Sequence, residues 1–253
     1  MIVAEVGLNH QGKLGYSFEY IEQLVLTNID AITYQIREEE FYLEGEYADL
    51  NLPISHYKIV KSHLHQHDKK FGVALANHTL VDELEEIGVD FYKTLSWDIN
   101  SFDFLDRLIE TKKPIFISTG MSSIDKIDRV FNRYPDANIT FIHTQLQFEI
   151  ENVNLLAIDF LKNRYNFPVA FGNHCENPKV LYTSVAFNPS DIFMYIKTDE
   201  DIQHIDEKHS VRLSNVNELV DDLKELPKSL GQASKFDIEK KDKYLIQNVK
   251  DEK

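Results

Sequence analysis

Eight short, almost continuously apolar runs recur along this chain, separated by longer segments whose apolar residues return every three or four positions. Apolar β-prone runs without polar alternation belong to strands buried on both faces, and the helical periods between them supply the covering layer. The pattern predicts an α/β fold, a parallel eight-stranded (β/α)8 barrel of the TIM type. Strands are expected at Ile2–Val6, Ala31–Gln35, Lys70–Ala74, Phe91–Thr94, Pro114–Ser118, Ile139–His143, Pro168–Phe171 and Ile192–Ile196. Three helical stripes are expected to face them: Phe18, Ile21, Leu24 and Val25, then Phe102, Leu105, Leu108 and Ile109, and last Val216, Leu219, Val220 and Leu223. A dinucleotide-binding fold would need G-x-G-x-x-G after its first strand, whereas residues 7–12 read GLNHQG.

The 253 residues suffice for one such barrel, expected over 1–230, with the densely charged stretch 231–253 as a tail or terminal helix. Arg37–Leu52 is long for a connection between strand and helix and rich in Glu and Tyr; it reads as a wall or lid of a site, or as a solvated acidic insertion. With 42 acidic against 27 basic residues the formal charge is −15, which argues against nucleic acid as a partner. No apolar run is long enough to span a bilayer, so no membrane partner is expected, and the single Cys175 permits no intrachain disulfide. A cytoplasmic location is the resulting expectation. In so acidic a chain, an anionic ligand must be held by local cations.

Residues just past the strands of a parallel barrel converge on one mouth, where ligands collect. Here these are Glu5, Gln35, Asn77, Lys93 with Ser96, Ser118 with Thr119, His143 with Gln145, and Asn173 with His174. Lys93, a cation leaving a buried strand, reads as an anion contact, with a snorkelling lysine as the alternative. Ser118-Thr119-Gly120 offers hydroxyls and backbone N–H groups as an anion cradle, or an ordinary helix cap. His10, His143 and His174 all fall at strand ends. Without H-x-H or H-x-x-x-H spacing, structural hydrogen bonding is the reading for His10 and His143, and His174 is the metal candidate. Cys175 reads as a small packed residue.

The segments IVAEVGLNHQG, DAITYQI, DFYKTLSWDINSFDFLDRLIETKKPIFISTGMSS, ITFIHTQLQFEIENVNL and VAFGNHC, in that order, resemble the sialic acid synthase family across roughly residues 1 to 230. Its members condense phosphoenolpyruvate with an N-acylated amino sugar to make nine-carbon 2-keto-3-deoxy acids. The resemblance implies that Glu5 contacts the sugar, and that Lys93, Ser96 and Ser118 hold the phosphate and carboxylate of phosphoenolpyruvate. It also implies that His174 is one of two histidines on a divalent metal, commonly Mn or Mg, that polarises the open-chain aldehyde. Together with the convergence at the mouth, this makes Glu5 and Lys93 the catalytic candidates and His174 the metal candidate. Gln35, Ser96, Ser118, Thr119 and Asn173 are the substrate-binding candidates. The implied partners are a sugar and a phosphoenolpyruvate-like anion, with a homodimer or a pathway protein beyond them.

The chain departs from the family's pattern at several of these places. The family lysine before Phe/His-Gln is Thr33, and a Ser-Thr-Pro-Phe run becomes Val73-Ala74-Leu75-Ala76. The serine before Asp-His is Gly172, and Trp97 replaces a glycine after Ser96. The Glu-Lys/Arg-His triplet ending strand eight reads Met194-Tyr195-Ile196, which exchanges a sugar-binding glutamate for Met194 and the second metal histidine for Ile196. Glu207-Lys208-His209 reads like that triplet displaced, although its distance from the last helix fits another family element, an Asp-His before that helix. The antifreeze-like domain that lends an arginine to a partner's site is not expected here. Two function classes follow: a divergent phosphoenolpyruvate-dependent synthase of surface-glycan biosynthesis, or a non-catalytic relative that binds a sugar acid or a partner protein.

Overall fold

In the computed structural model, whose described residues are 1–234, the apolar runs form eight parallel strands. They are β1 (Ile2–Gly7), β2 (Ala31–Ile36), β3 (Lys70–Leu75), β4 (Phe91–Thr94), β5 (Ile115–Ser118), β6 (Ile139–His143), β7 (Val169–Gly172) and β8 (Ile192–Lys197). Each pairs with its successor and β1 also pairs with β8, so the sheet closes and has no free edge. The covering helices are α1 (Leu14–Leu24), α2 (Ile54–Gln66), α3 (Val81–Ile87), α4 (Phe102–Glu110), α5 (Ile124–Arg133), α6 (Leu156–Arg164), α7 (Lys179–Ser184) and α8 (Leu213–Glu225). A two-residue strand, β9 (Val211–Arg212), continues from β8 beyond the barrel. Two strands begin one residue later than expected because each run opens on a proline, Pro114 or Pro168, which has no N–H to give to the ladder. The expected tail lies almost wholly outside the described residues.

Strand alternation divides the core in two. Ile2, Ala4, Val6 and their counterparts join the large cluster between sheet and helices. Val3, Ala31, Phe91, Phe116, Ile142, Ala170 and Phe193 form a separate plug in the N-terminal half of the lumen. Phe116 stands edge-on to Phe91 at 5.3 Å and to Phe193 at 5.0 Å. Gly72 on the neighbouring strand makes this possible, since a Cβ there would overlap the Phe91 ring. With its lower half filled by rings, the lumen leaves polar groups only its C-terminal half.

One helical face differs from the expected stripe. Ser17, Tyr20, Ile21 and Leu24 are buried on α1, while Phe18 is 38% exposed. The helix turns its polar Ser17 inward because the hydroxyl is satisfied there, 2.8 Å from the Tyr34 hydroxyl and 2.7 Å from His56 Nε2. The last stripe, Val216, Leu219, Val220 and Leu223, is buried as expected.

Arg37–Leu52 folds as a packed wall of two short 3-10 turns, Glu39–Leu43 and Ala48–Leu50, with Phe41 stacked on Tyr47 at 4.5 Å and Leu50 and Leu52 buried. It leans on the loop after β1 at Gly12, whose φ is +66° and where a Cβ would strike the Asp49 carbonyl. Arg37 lies 3.9 Å from the centre of the Phe41 ring and 5.0 Å from that of Trp97. Trp97 is 48% exposed at the rim. Among the described residues no helix is long and apolar enough to cross a membrane.

Candidate active site

The odd positions of β1 and β4 point into the lumen, so Glu5 and Lys93 meet across it and form an ion pair, with both side chains almost fully buried. Lys93 Nζ sits 5.5 Å from the Phe193 ring of the plug and 5.7 Å from the Tyr195 ring. Thr33, beside Glu5 in the β1–β2 register, also faces this space and is buried. Its hydroxyl stands where the resemblance implies a lysine, which leaves Lys93 with less cationic company.

At the ends of β4 and β5 the Ser96 and Ser118 hydroxyls are 2.7 Å apart, both buried. Their loops can approach because Gly120 lacks a Cβ, which would come within 2.9 Å of Ser96 Oγ and of Thr144 Cγ2. Thr119 donates its hydroxyl to the Ile142 carbonyl at 2.8 Å, so it buttresses the cradle. Asn77 is a cap, its Oδ1 accepting from the Thr79 N–H at 3.1 Å and the Thr79 hydroxyl at 2.6 Å. Gln35 is half-buried at the end of β2, opposite Ala74. Ala74, Ala76 and Leu95 form a small apolar patch where the family run would supply hydroxyls.

The expected alignment of the strand-eight triplet is corrected by the structure. Met194 and Ile196 are fully buried on the outer face against the helices, while Tyr195 and Lys197 take the alternate, inward positions. A one-residue offset exchanges the two faces of a strand, so Met194 and Ile196 are not the positions that replaced mouth ligands. Tyr195, opposite Glu5 in the β1–β8 register, fills the mouth instead. Its hydroxyl is held well above its usual pKa by burial, with Glu5 and Asp206 adding to the shift.

The loop after β8 completes the site. Asn9, wholly buried, latches it by donating to the Ile196 carbonyl at 2.8 Å and accepting from the Asp206 N–H at 2.9 Å. The latch brings His209 to 4.6 Å from the His174 ring and 4.7 Å from the Tyr195 ring, centre to centre. The histidine of Glu207-Lys208-His209 thus lies beside His174, whichever family element that string corresponds to. Asp206 follows it, Oδ1 lying 3.8 Å from His209 Nε2. Burial, reinforced by Glu5 and opposed by Lys93, pushes the Asp206 carboxyl up to about 7. Burial pushes His209 down to about 4, with Lys93 adding to it, and holds His174 well below its usual value, with His209 and Lys93 adding to that. Both imidazoles are therefore neutral at pH 7, and neither His209 nitrogen has a hydrogen-bond partner.

Neutral imidazoles are the ligating form, and His174 and His209 could offer two nitrogens to a divalent ion. Among the described residues no group of three or more His, Cys, Asp or Glu side chains closes on a metal-holding geometry, so an ion held here would take its remaining ligands from substrate or water. The other two strand-end histidines are hydrogen-bonded within the fold. His10 Nδ1 accepts from the Gly12 N–H at 3.0 Å, and burial followed by His56 drops its pKa to about 3; His143 Nε2 bonds the Val153 carbonyl at 3.0 Å. Asn173 spends its side chain on its own turn, exchanging bonds of 3.1 and 3.2 Å with Cys175. Tyr195 and Asp206 are not among the expected site residues, and His209 is marked only by the Glu207-Lys208-His209 string. Alternation along β8 is enough to place Tyr195 inside, but nothing local marks Asp206.

Related proteins share this architecture. The chain is 28% identical to an uncharacterized protein of Methanocaldococcus jannaschii over 248 residues, 93% of this chain and 73% of that one. It is 24% identical to the N,N'-diacetyllegionaminic acid synthase of Campylobacter jejuni over 262 residues, 93% of this chain and 78% of that one. Its fold matches the crystal structure of a sialic acid synthetase from Leptospira borgpetersenii serovar Hardjo-bovis in complex with citrate, with a TM-score of 0.88 at 22% identity, covering 100% of this chain and 92% of that one. The sequence pattern of the NeuB family matches residues 19–235, most of the barrel that carries Lys93, Ser96, Ser118 and His174, and the chain belongs to that family.

Proposed function

We propose that this barrel condenses phosphoenolpyruvate, or a closely related enol acid, with an N-acylated amino sugar or related aldehyde in surface-glycan biosynthesis. The observation that carries the reading is the buried Lys93–Glu5 pair beside the joined Ser96 and Ser118 hydroxyls. A buried ion pair is weak as a source of stability, since apolar residues of equal volume usually do as well. Holding a cation in reserve for an anion accounts for it better. An entering phosphate or carboxylate takes Lys93 as its counter-charge and the serine hydroxyls as donors. Glu5, released from Lys93, accepts hydrogen bonds from sugar hydroxyls.

In the reaction, C3 of the enol attacks the aldehyde carbon, the aldehyde oxygen takes up a proton, water adds at C2, and phosphate leaves to give the keto acid. Asp206, neutral up to about pH 7, is the proton donor to that oxygen, and it stands near Glu5 at the sugar end. Tyr195 and the aromatic plug exclude water from below. Exposed Trp97, with Arg37 over its face, offers a stacking surface at the rim.

Thr33 and the Ala74, Ala76 and Leu95 patch favour a second reading, a barrel that binds the acid without turning it over. Calorimetry with phosphoenolpyruvate, and mass spectrometry after incubation with N-acetylmannosamine and other N-acylated amino sugars with and without Mn²⁺, separate the readings. Phosphoenolpyruvate affinity is expected to fall at least tenfold in Lys93→Ala, with keto-acid formation very slow from N-acetylmannosamine and faster from another sugar. Lys93-dependent binding without any keto acid supports the second reading. Equal affinity in wild type and Lys93→Ala refutes both.

A further inference from the structure

A second cavity, of about 490 Å³, opens on the flank of the barrel between α7 and α8, beside β9. Neither Glu5, Lys93, Ser96 nor Ser118 lines it, but Asn173 and His209 do, so its occupant would touch the back of the residue that completes the mouth. Lys208 and Arg212 place two cations on its wall in a chain of net charge −15. Lys208 lies over the Phe148 ring at 4.7 Å, and Arg212 spends one N–H on the Asp199 carbonyl at 2.9 Å, out of the five its guanidinium can donate. Lys197 also reaches the cavity, but it is engaged by Glu207. The N-terminus of α8 contributes no pull on an anion, since Asp199 already caps it through the Ser214 N–H at 3.0 Å and hydroxyl at 2.7 Å. The cations available to a ligand are therefore Lys208 and Arg212, with the Glu176 and Glu218 carboxylates on the same walls.

The remaining walls are of a different kind. Glu218 and Asn215 supply acceptors, and Tyr182 an aromatic face. A bare phosphate would meet the Glu218 carboxylate with nothing to offer it, whereas a molecule with one anionic end and several hydroxyls satisfies both sides. The volume suits a small metabolite. We propose that this cavity is a second binding site, for a small polyhydroxylated carboxylate of the sugar-acid class, whose occupancy is felt at His209. Carboxylate to Lys208 and Arg212, and hydroxyls to Glu218 and Asn215, is the recognition scheme.

The test uses D-gluconate as probe and D-sorbitol as its uncharged counterpart, on full-length protein carrying ¹³C at the histidine ε1 position, with the His209 signal assigned by His209→Gln. Gluconate is expected to shift the His209 signal saturably in wild type and in Lys93→Ala alike, and sorbitol to leave it unmoved. In Lys208→Ala/Arg212→Ala the affinity should fall at least tenfold while the His10 and His143 signals stay in place. Both substituted residues are exposed, so the fold should survive, and Lys208→Gln alone gives a milder check. The proposal is overturned if no saturable shift occurs or if sorbitol acts like gluconate. It is equally overturned if the shift disappears in Lys93→Ala but persists in the double variant, which would place the ligand at the mouth.

Discussion

Lys93→Met keeps the bulk of the side chain and removes the charge that faces Glu5 inside the barrel. The side chains of this pair are 7% and 3% exposed, so the stranded carboxylate has little access to water. Breaking a buried pair from one side costs about 3–5 kcal/mol, a large part of the about 5–15 kcal/mol that holds a typical domain together. The variant should therefore lose about that much stability relative to wild type at pH 7. Glu5→Gln in the same chain removes the unpaired charge, and the double variant should return to within about 1–2 kcal/mol of wild type. Urea unfolding of the three proteins at pH 7, followed by circular dichroism, supplies both numbers. A Lys93→Met cost below about 1 kcal/mol at pH 7, or a double variant no more stable than Lys93→Met alone, would refute the picture of a dry, closed pair.

Asp206→Asn tests the raised carboxyl. A folded pKa of about 7 above the unfolded value gives stability that is complete below about pH 4 and lost as pH rises to about 7, so the variant should gain on wild type by about 1–3 kcal/mol between pH 5 and pH 8. His209 acts in the opposite sense, losing stability as pH falls from about 6.5 to about 4, and it cancels in the comparison; a flat difference between the two proteins would show that Asp206 ionises freely. For the metal, elemental analysis after Mn²⁺ loading and dialysis should find far less than one ion per chain, because two imidazoles without a third side-chain donor hold a divalent ion weakly. Chelator-resistant, stoichiometric Mn²⁺ would mean that Asp206 or Glu5 swings in to complete the shell.

Local pattern carried the barrel and the inward placement of Glu5, Lys93 and Ser118 on β1, β4 and β5. Both rest on short-range physics: a strand buried on two faces must be apolar along its length, and a charged residue inside such a run, Glu5 or Lys93, has only the lumen to enter. The expected strands match the observed ones to within one or two residues for the same reason. Motif alignment failed on β8, where the side-chain period of two turns an offset of one residue into the opposite face, and Met194 and Ile196 went to the helices. Helical period placed Ile21, Leu24 and Val25 correctly on α1 but not Phe18, because the hydrogen bonds that reward burying Ser17 instead come from Tyr34 and His56, which no helical period foresees.

What the sequence determined by itself is the number and direction of the strands, the end of the barrel where polar residues gather, and the presence of Lys93, Ser96 and Ser118 at that end. What only the tertiary structure decided is who shares that mouth with them. Asn9, at the end of the first strand, grips the backbone of Ile196 and Asp206, nearly 200 residues away in the chain, with separations of 187 and 197. That grip carries Asp206 and His209 into place beside Tyr195 and His174. Strands and stripes are written in neighbouring residues because they follow from local burial and period. A loop's destination depends on long-range bonds that exist only once the barrel has closed.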